Sequence, residues 1–479
     1  MEFKTTEQRY REFLDTLPLS TLRILGRQYG VSAASSSNKR ALIGDIIAIL
    51  TGKVSPAPRT NRGAPVKQTY VDPAILERLN AIRTRAEEDD LRRKIIFEVS
   101  APDGEFRLSY DEPVYAGILE VTSAGYGFVR THGSRPSVGE EDVFLSAPFI
   151  HAMGLRAGDY IACTAHPQQG NEAAAIGELL SVNGLPQGKY SDRPAFEALT
   201  PVYPTEKIAL SAGDPEPSLR MLDLFVPIGK GQRVLMAAPP GTGRTALLQS
   251  IGRAVLRSGL MLVVVLIDGR PEDVTESRAD LHGATFFSST FDEGAGHHLR
   301  IAKLASEYAK RQVEHGKDVV ILLDSLTKYV RACDLLADGG GRTVAGLDPA
   351  AFSEPKRFFG AARNTSEAGS LTIVATATVQ TGNAADDLIY EQFRGAGNAD
   401  IVLSAALAQR GVFPAIDLFR SGTRKGEALL SEQERSAVCQ LRAHGEMQTE
   451  QVIRLVRETE NNADLIARLP DLLRAEQRE

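Results

Sequence analysis

The spacing of hydrophobic and polar residues changes several times along the chain. Residues 8–50 place apolar residues three and four apart, as in "NKRALIGDIIAIL", which predicts a small helical unit. Between about 105 and 182, short alternating segments such as "YAGILEVTS" stand between turn signals and predict a small β-barrel. From about residue 200, apolar runs such as "RVLMAAP" alternate with helical stretches, which is typical of a parallel sheet with crossover helices.

The remaining stretches predict connections and ends. The run "TGKVSPAPRTNRGAPVK" is rich in Pro, Gly and basic residues and predicts a flexible linker, after which residues 74–95 predict an exposed charged helix. The expected segments are an N-terminal helical domain over 1–52, a linker and charged helix over 53–104, the barrel over 105–182, the α/β domain over 183–430 and a C-terminal helical extension over 431–479.

Composition supports a folded, multidomain chain. It has 479 residues, of which 43% are hydrophobic and 24% charged. Its longest apolar runs, such as 261–267, are far shorter than the ~20 residues that cross a bilayer, and its beginning shows no apolar signal segment. Cys163, Cys333 and Cys439 lie far apart, so we expect reduced thiols in a cytoplasmic protein. The net charge of −6 argues against a protein that coats polyanions in general, but it does not exclude a local nucleic-acid groove.

The stretch "MAAPPGTGRTALLQS" at 236–250 has the features of a phosphate-binding loop. It follows an apolar strand and precedes a helix, which is the context that such a loop requires. Gly241 and Gly243 can expose their N–H groups, the helix adds the positive end of its dipole, and the Thr245 hydroxyl is placed to ligate Mg²⁺. Arg244 stands where such a loop normally has Lys. The alternative interpretation is a glycine-rich turn that binds nothing.

Two further charged residues extend this prediction. Asp324 ends the apolar strand "DVVILLD", and a carboxylate at the end of a strand in the same sheet is the expected outer ligand of Mg²⁺. Alternatively, Asp324 caps the next helix. Arg424 lies in the turn "SGTRKGE", from which it can reach a phosphate bound to a neighbouring subunit. Taken alone, an arginine there is more often a solvated turn residue.

These motifs, in this order, resemble those of the transcription termination factor Rho family of ring-shaped hexameric RNA translocases. The resemblance covers nearly the whole chain, and its most specific stretches include "PIGKGQRVLMAAPPGTGRT", "VLIDGRPEDVTE", "PKRFFGAARN", "LIYEQFRGAGN" and "VFPAIDLFRSGTRK". It implies a multidomain protein with an N-terminal helical unit, a small OB or cold-shock-like β-barrel, and an α/β RecA-like P-loop ATPase domain with C-terminal helices.

The resemblance assigns nucleotide-binding roles to individual residues. It implies that Thr245 and Asp324 hold Mg²⁺, that Phe413 stacks on adenine and that Arg270 contacts the nucleotide. It makes Arg424 an arginine finger that acts across the subunit boundary, and it makes Arg244, Thr245, Asp324 and Arg424 the catalytic set. The rest of the implied ATP site consists of two runs: Gly229, Lys230, Gly231, Gln232, Arg233 and Val234, and then Gly241, Thr242, Gly243, Arg244, Thr245 and Ala246.

The resemblance also assigns residues to single-stranded RNA. Tyr126, Phe128 and Phe144 of the barrel offer faces on which bases stack, and Arg130 offers a phosphate or base contact. The loop 341–348 is implied to point into the central channel of the ring. The implied RNA-binding residues are Gly125, Tyr126, Gly127, Phe128, Val129, Arg130, Asp142, Val143 and Phe144 in the barrel, and Arg342, Thr343, Val344, Ala345 and Gly346 in the loop.

The chain departs from the family pattern at positions of charge and water activation. Arg244 replaces the phosphate-loop Lys, and the two are not equivalent beside a phosphate. Gly269 stands where the family has a Glu that activates water. The RNA contacts change as well, because Ala384 replaces a channel Lys and Ala173 an aromatic residue, and the channel loop is one Gly short. Gly411 stands where an Arg is expected, with Arg410 one position earlier.

Two functions therefore remain open. The first is a Rho-like termination factor that binds nascent single-stranded RNA, works with RNA polymerase, and uses ATP and Mg²⁺ in a homohexamer to translocate and release the transcript. The alternative is a catalytically impaired paralogue, a nucleotide- and RNA-binding regulatory ring protein. A proton-driven ATP synthase subunit would share the α/β core, but the motif "GYGFVR" and the N-terminal helical unit disfavour it.

Overall fold

The computed structural model describes residues 6–29, 31, 37–50, 54, 75, 114–130, 142–166, 173–186, 190, 193–337, 344–443 and 449–476. The chain divides near Val114 into two compact units. The first contains the helices α1 (Thr6–Asp15), α2 (Leu19–Gln28) and α3 (Lys39–Leu50). Leu22, Leu25, Leu42 and Ile46 are fully buried in one hydrophobic cluster of these helices, so the predicted N-terminal helical unit is confirmed.

A small barrel follows. Its elements are β1 (Val114–Val121), β2 (Gly127–Arg130), β3 (Val143–Leu145), α4 (Ala147–Ala152), β4 (Tyr160–His166), β5 (Ala174–Val182) and β6 (Leu185–Pro186). The strands are hydrogen-bonded in the order β3-β2-β1-β4-β5-β6, and β3 also pairs with β5, so the sheet closes on itself. Leu119, Val129 and Val143 lie side by side in register and are fully buried. The predicted barrel is confirmed.

The α/β domain is built on a nine-stranded sheet. Its strands are β7 (Pro201–Val202), β8 (Arg233–Ala238), β9 (Met261–Gly269), β10 (Thr285–Thr290), β11 (Val319–Asp324), β12 (Arg363–Thr365), β13 (Ser370–Thr378), β14 (Ala399–Val402) and β15 (Gly422–Thr423). Parallel strands run in the order β10-β9-β11-β13-β8-β14, and β15 pairs antiparallel with β14. The central strands are buried along almost their whole length because hydrophobic clusters cover both faces, as expected for a parallel sheet.

Helices pack on both sides of this sheet and continue beyond it. They are α5 (Pro217–Phe225), α6 (Arg244–Arg257), α7 (Pro271–Asp280), α8 (Ala295–Glu314), α9 (Leu326–Leu335), α10 (Ser353–Gly360), α11 (Ala384–Arg394), α12 (Ala405–Gln409), α13 (Glu432–Ala443), α14 (Thr449–Arg457) and α15 (Asn462–Glu476). Arg220 of α5 is 1% exposed and donates to the carbonyls of Val456 and Thr459, which anchors the C-terminal helices to the domain. Within the described ranges, none of the helices is both long enough and apolar enough to span a membrane.

A buried polar network joins the barrel to the carboxyl end of α8. Asp159 is fully buried and accepts hydrogen bonds from Arg193 at 2.7 Å and from Asn183 at 2.8 Å. A Cβ atom at Gly158 would lie 2.3 Å from the backbone of Glu307, so glycine is required at this close approach. The barrel is therefore packed directly against the α/β domain, with the buried charges paired as their desolvation requires.

Candidate functional site

The predicted phosphate loop connects β8 to α6 at the carboxyl edge of the parallel sheet. Gly241 and Gly243 have φ angles of 76° and 80°, which lie in the left-handed region that favours glycine. Thr242 is buried, and its hydroxyl donates to the carbonyl of Pro239 at 2.7 Å, which closes the turn. α6 begins at Arg244 directly after the loop, so its N-terminal N–H groups and dipole are available to an anion.

Oxygen atoms suited to a divalent cation lie at the same edge. Thr245 is exposed in the first turn of α6, and Asp324 ends β11. Asp324 accepts from the hydroxyl of Thr376 at 2.9 Å, and Thr376 belongs to β13, the strand between β11 and β8. The described part of the chain has no cluster of three or more His, Cys, Asp or Glu residues that could hold a metal ion. The Thr245 hydroxyl and the Asp324 carboxylate are oxygen donors of the kind that Mg²⁺ takes when it is held jointly with nucleotide phosphates.

The phosphate-loop arginine turns toward Asp324. Nη2 of Arg244 lies 3.2 Å from Oδ1 of Asp324, and Nη1 donates to the Thr378 hydroxyl at 3.1 Å. The Arg244 side chain is 26% exposed and that of Asp324 is 15% exposed, so the pair is partly shielded from water. The cation of the loop and the expected metal ligand are thus in direct contact.

Gly269 ends β9, the strand beside β11, at this same edge. A Cβ atom there would lie nearest to Val274, Ser289 and Leu266, at 3.7, 3.8 and 3.9 Å, which are ordinary van der Waals distances. The backbone therefore has room for a larger residue, so packing does not explain why a carboxylate is absent at this position. Lys328 donates to the carbonyl of Asp268, one residue before the glycine, and its Nζ is 3.6 Å from the Asp268 carboxylate.

An open cleft with an aromatic wall adjoins the phosphate loop. Phe413 is 43% exposed, and its ring lies 3.5 Å from the place that a Cβ atom at Gly243 would occupy. Arg457 of α14 also lines this cleft and donates to the carbonyl of Phe413 at 3.0 Å. The residues that define the nucleotide cleft, as we call it, are Glu216, Pro217, Ser218, Thr242, Gly243, Ala246, Leu247, Ser250, Leu403, Phe413, Pro414, Ala415 and Arg457.

Sequence reasoning did not include Arg457 or the 216–218 stretch in the site. Residues 216–218 stand at the beginning of α5, and Arg457 stands at the end of α14, far from the loop along the chain. No local motif marks them. They reach the cleft because the C-terminal helices pack on α5.

The first run of expected ATP-site residues lies at the opposite, amino edge of the sheet. Gly229–Gln232 precede β8 and Arg233 begins it, whereas the phosphate loop follows the end of β8, roughly 20 Å away for a strand of this length. Lys230 pairs with Asp318 at 2.9 Å, and the backbone N–H of Gly229 donates to the Gln232 side chain at 2.6 Å. Within one chain, these residues and the phosphate loop do not line the same pocket.

Arg424 also lies at the amino edge. It directly follows β15, and its N–H donates to the carbonyl of Asn398 at 2.8 Å. Burial lowers the pKa of Arg233, and the neighbouring guanidinium groups of Arg363 and Arg424 lower it further. The amino edge therefore carries a cluster of three arginines. Arg270, by contrast, is exposed at the carboxyl edge, where it precedes α7.

The barrel presents an aromatic cluster formed by Tyr126, Phe128 and Phe144, which we call the RNA face. The ring centroids lie 5.7 to 5.9 Å apart, and Tyr126 is 39% exposed. Phe128 and Phe144 are paired in register across β2 and β3. A Cβ atom at Gly127 would lie 2.6 Å from the carbonyl oxygen of Glu120, so glycine permits the close strand pairing here. Such partly exposed rings suit base stacking.

Arg130 differs from its expected presentation to RNA. It is 2% exposed, and it pairs with Asp142 at 3.1 Å and with Glu120 at 3.5 Å. Glu120 in turn pairs with Arg300 of α8 at 2.7 Å. The guanidinium is buried because two carboxylates in the barrel neutralise it, so a direct phosphate contact would require this network to open.

The channel loop is described only in part. Arg342 and Thr343 lie outside the described residues. Val344 is 54% exposed and pairs with Leu347 through two backbone hydrogen bonds, and Ala345 and Gly346 between them have positive φ angles. This is a tight, exposed turn. Ala384 begins α11, where Asn383 caps the helix, and Ala173 is buried beside the barrel strand β5.

Comparisons with known proteins agree on both domains. Residues 115–187 match the Rho termination factor RNA-binding domain, and residues 218–423 match the nucleotide-binding domain of the ATP synthase alpha/beta family. Transcription termination factor Rho of Aquifex aeolicus is 45% identical over 333 residues, 68% of this chain and 76% of that protein. The same factor of Streptosporangium roseum is 45% identical over 357 residues, 73% of this chain and 90% of that protein. A solved ATPase from a type III secretion system is 24% identical, with a TM-score of 0.45, over 53% of this chain and 83% of its own.

The fold and the domain matches define a class of protein in which an RNA-binding barrel is joined to a P-loop nucleotide-binding α/β domain. Within this class, the chain belongs to the transcription termination factor Rho family. It is thus a member of a family of RNA-dependent ATPases that act in transcription termination. The resemblance inferred from the motifs is confirmed.

Proposed function

We propose that this Rho-family chain binds nascent single-stranded RNA on its barrel and ATP at its phosphate loop, within a cytoplasmic homohexamer that acts on transcribing RNA polymerase. The RNA-binding domain extends over 105–182 and the nucleotide-binding domain over 183–430. The observation that carries the proposal is a partly exposed aromatic cluster on a barrel that is joined to a P-loop domain by the buried Arg193–Asp159 pair and the partly buried Arg300–Glu120 pair.

In the nucleotide cleft, adenine stacks on Phe413 and the phosphates rest on the N–H groups of 241–246. The hydroxyl of Thr245 and the carboxylate of Asp324 hold Mg²⁺, which neutralises phosphate charge when bound. Proximity supports this assignment, because Phe413 and Gly243 of the loop line the same cleft and a Cβ atom at Gly243 would lie 3.5 Å from the Phe413 ring. Arg457 keeps the Phe413 segment in place through its hydrogen bond to the Phe413 carbonyl.

The ring arrangement follows from the two edges of the sheet. The phosphate loop stands at the carboxyl edge, whereas Arg424, Arg233 and Arg363 cluster at the amino edge. One chain cannot bring both edges to one nucleotide, but two copies placed head to tail can. Arg424 of each copy then stabilises the phosphates that its neighbour holds, as an arginine finger does. Such heterologous contacts close into a ring when the rotations between neighbouring copies add up to a full turn.

We further propose that ATP turnover is slow. At Gly269 no side chain can position or polarise the attacking water, although the surrounding backbone has space for one. Loss of a general base typically costs about 10²–10⁴-fold in rate. The protein then binds nucleotide and RNA more effectively than it hydrolyses ATP, which favours a regulatory ring.

The test is to measure nucleotide affinity and RNA-stimulated phosphate release on the same purified protein. We expect saturable ATP binding, with turnover well below the ordinary ~1–10³ s⁻¹ of enzymes. The background control is Asp324→Asn, which keeps the fold but weakens the cation site. Turnover within the ordinary range, above that control, would show a fully competent translocase and would overturn the slow-turnover part of the proposal.

A further inference from the structure

One partly buried carboxylate lies beside the arginines of the amino edge. Asp400 is the second residue of β14 and pairs in register with Gly422 of β15, two residues before Arg424. On its other side, Asp400 is in register with Leu235 of β8, so it lies inside the sheet near the start of β14. The backbone N–H of Arg424 donates to the carbonyl of Asn398, two residues before Asp400. The strand register therefore holds the Arg424 backbone close to Asp400.

The Asp400 carboxylate has an unsatisfied oxygen. Its Oδ1 atom is buried, and within the part of the chain that the structure describes no group donates a hydrogen bond to it. Burial raises the pKa of Asp400, whereas the positive charges of Arg394 and then Arg424 lower it, so both guanidinium groups lie near the carboxylate. A buried carboxylate oxygen costs free energy unless a donor satisfies it. Asp400 can therefore accept one more charged donor.

The two neighbouring arginines differ in the contacts that they already make. Arg394 lies in the last turn of α11 and pairs with Glu391 at 3.7 Å. The Arg424 side chain is exposed, and its guanidinium has no hydrogen bond or ion pair among the described residues. A long side chain without a partner samples many rotamers, and its restriction to one of them costs conformational entropy. Arg424 is therefore the donor that still lacks an acceptor.

We propose that Asp400 is a positioning residue for Arg424, whose guanidinium it holds toward the phosphates bound by the neighbouring copy. The inference rests on the arginine finger proposed above and concerns what orients that finger. A guanidinium is planar and carries several N–H donors, so it can contact a carboxylate on one side and phosphate oxygens on the other. Asp400 itself contacts neither the nucleotide nor the attacking water, and it acts only through Arg424.

This role predicts a loss of turnover without a loss of ATP binding. The phosphate loop of one copy binds ATP, whereas the arginine finger of the next copy stabilises charge that develops during phosphoryl transfer. A guanidinium that is present but misplaced loses part of that stabilisation. Asp400→Asn keeps the shape of the side chain and removes its charge, so it should lower turnover by about 10-fold or more. The dissociation constant for ATP should change by less than about 2-fold.

The experiment is a double-mutant cycle of Asp400→Asn and Arg424→Ala in the full-length protein. Turnover is measured as single-turnover phosphate release with saturating RNA. Binding of ADP with Mg²⁺ and aluminium fluoride, which mimics the phosphoryl group in transfer, gives a second readout that does not depend on the rate. Arg424→Ala should lower turnover by at least about 100-fold. In both readouts, Asp400→Asn should cause no further loss once Arg424 has been removed, because the two residues act as one unit.

Two further variants separate this role from a structural one. Asp280→Asn is the matched control, since it makes the same exchange in a different ion pair, with Arg253 of α6, and it should leave both readouts unchanged. Arg394→Gln removes the other cation beside Asp400 and should also have little effect. If Asp400→Asn fails to assemble, Asp400→Ser replaces it in the cycle, because its small hydroxyl side chain also lacks the charge.

The possible outcomes distinguish the inference from the function on which it rests. If the losses of Asp400→Asn and Arg424→Ala multiply in the double variant, Asp400 does not act through Arg424 and the inference is wrong while the arginine finger stands. The same conclusion follows if Arg394→Gln reproduces the loss caused by Asp400→Asn. If Arg424→Ala changes neither turnover nor binding of the mimic, the proposed arginine finger itself is wrong.

Discussion

The RNA face and the nucleotide cleft hold their functional groups in different ways. On the RNA face, Phe128 and Phe144 are paired by strand register and contact the Tyr126 ring, so packing alone presents them. In the cleft, the backbone provides the loop through Gly241 and Gly243, but the chemistry depends on single side chains.

Because the chemistry of the cleft depends on single side chains, its function can be altered without a change of fold. The phosphate-loop backbone and the aromatic cluster of the RNA face are held by the fold, so they persist as long as a substitution leaves the core intact. A water-activating group can be removed at one position, as at Gly269, with ordinary packing distances around it. We therefore expect binding to be robust and hydrolysis to be weak, and the following predictions test that contrast.

The largest expected effect is a gain in hydrolysis. The double change Arg244→Lys with Gly269→Glu should raise RNA-stimulated ATP turnover by about 10²–10⁴-fold, because it restores a compact cation and a carboxylate near the attacking water. Phosphate release measures it. Each single change should raise turnover less. Both groups act on one transition state, so their effects need not be additive. No gain over the unaltered protein would place the defect elsewhere or show that hydrolysis already works by other groups.

A large stability effect is expected in the barrel. Arg130→Met should lower the free energy of unfolding by about 3–5 kcal/mol, because it removes the buried guanidinium that pairs with the Asp142 carboxylate at 3.1 Å. Urea unfolding measures this loss. Arg357→Met is the control, since Arg357 pairs with Glu354 on the surface, where such pairs contribute little. Unchanged stability, together with a salt dependence of RNA binding that is flatter by about one charge, would instead identify Arg130 as a phosphate contact.

RNA binding should depend moderately on the aromatic rings. Phe128→Ala and Phe144→Ala should each weaken binding of single-stranded RNA by roughly 1–3 kcal/mol, because each removes a face on which a base stacks. Fluorescence anisotropy measures the affinity, and thermal melting verifies the fold. Tyr203→Ala is the control, since that exposed ring lies on the α/β domain beside Lys425. If the barrel changes leave RNA affinity and stability intact while Arg342→Ala abolishes binding, the barrel is not where RNA loads.

The smallest expected effect is a pH dependence of stability that arises at His315, where the barrel packs against the α/β domain. His315 contacts Arg193 and Asn183, and burial, followed by the charge of Arg193, lowers the pKa of His315 to about 4. The Asp159 carboxylate opposes this shift, whereas Lys317 and Arg156 add to it. Because an unfolded histidine titrates near 6.5, the unfolded chain binds the extra proton first. His315 should therefore reduce stability as pH falls from about 6.5 toward 4.

The variant His315→Gln should flatten the dependence of unfolding free energy on pH in this window. Urea unfolding at a series of pH values measures the slope. The exposed His282→Gln serves as the control and should leave the slope as it is. A slope that persists in His315→Gln would assign the pH dependence to other groups.

Local sequence patterns were enough to predict the secondary-structure elements and the family. Apolar periodicity predicted the helices of the first unit, the barrel and the parallel sheet, because burial of one face or both faces imposes a local spacing. The glycines of the phosphate loop were also identifiable, because left-handed backbone at Gly241 and Gly243 favours that residue. The missing carboxylate at Gly269 could also be recognised from the sequence, because the motif around that position is intact.

Which side chains come into contact depends on the packing of the whole domain. Arg244 contacts Asp324 because β11 and β8 flank one strand of the sheet, and no local pattern joins the two positions. Arg457 reaches the nucleotide cleft through helix packing, and Arg130 is buried by carboxylates from neighbouring strands. The hydrophobic periodicity of the sequence indicates which face of an element is buried. The partner of a charge depends on strand order, register and packing between elements that lie far apart along the chain, and these are settled only when the core assembles.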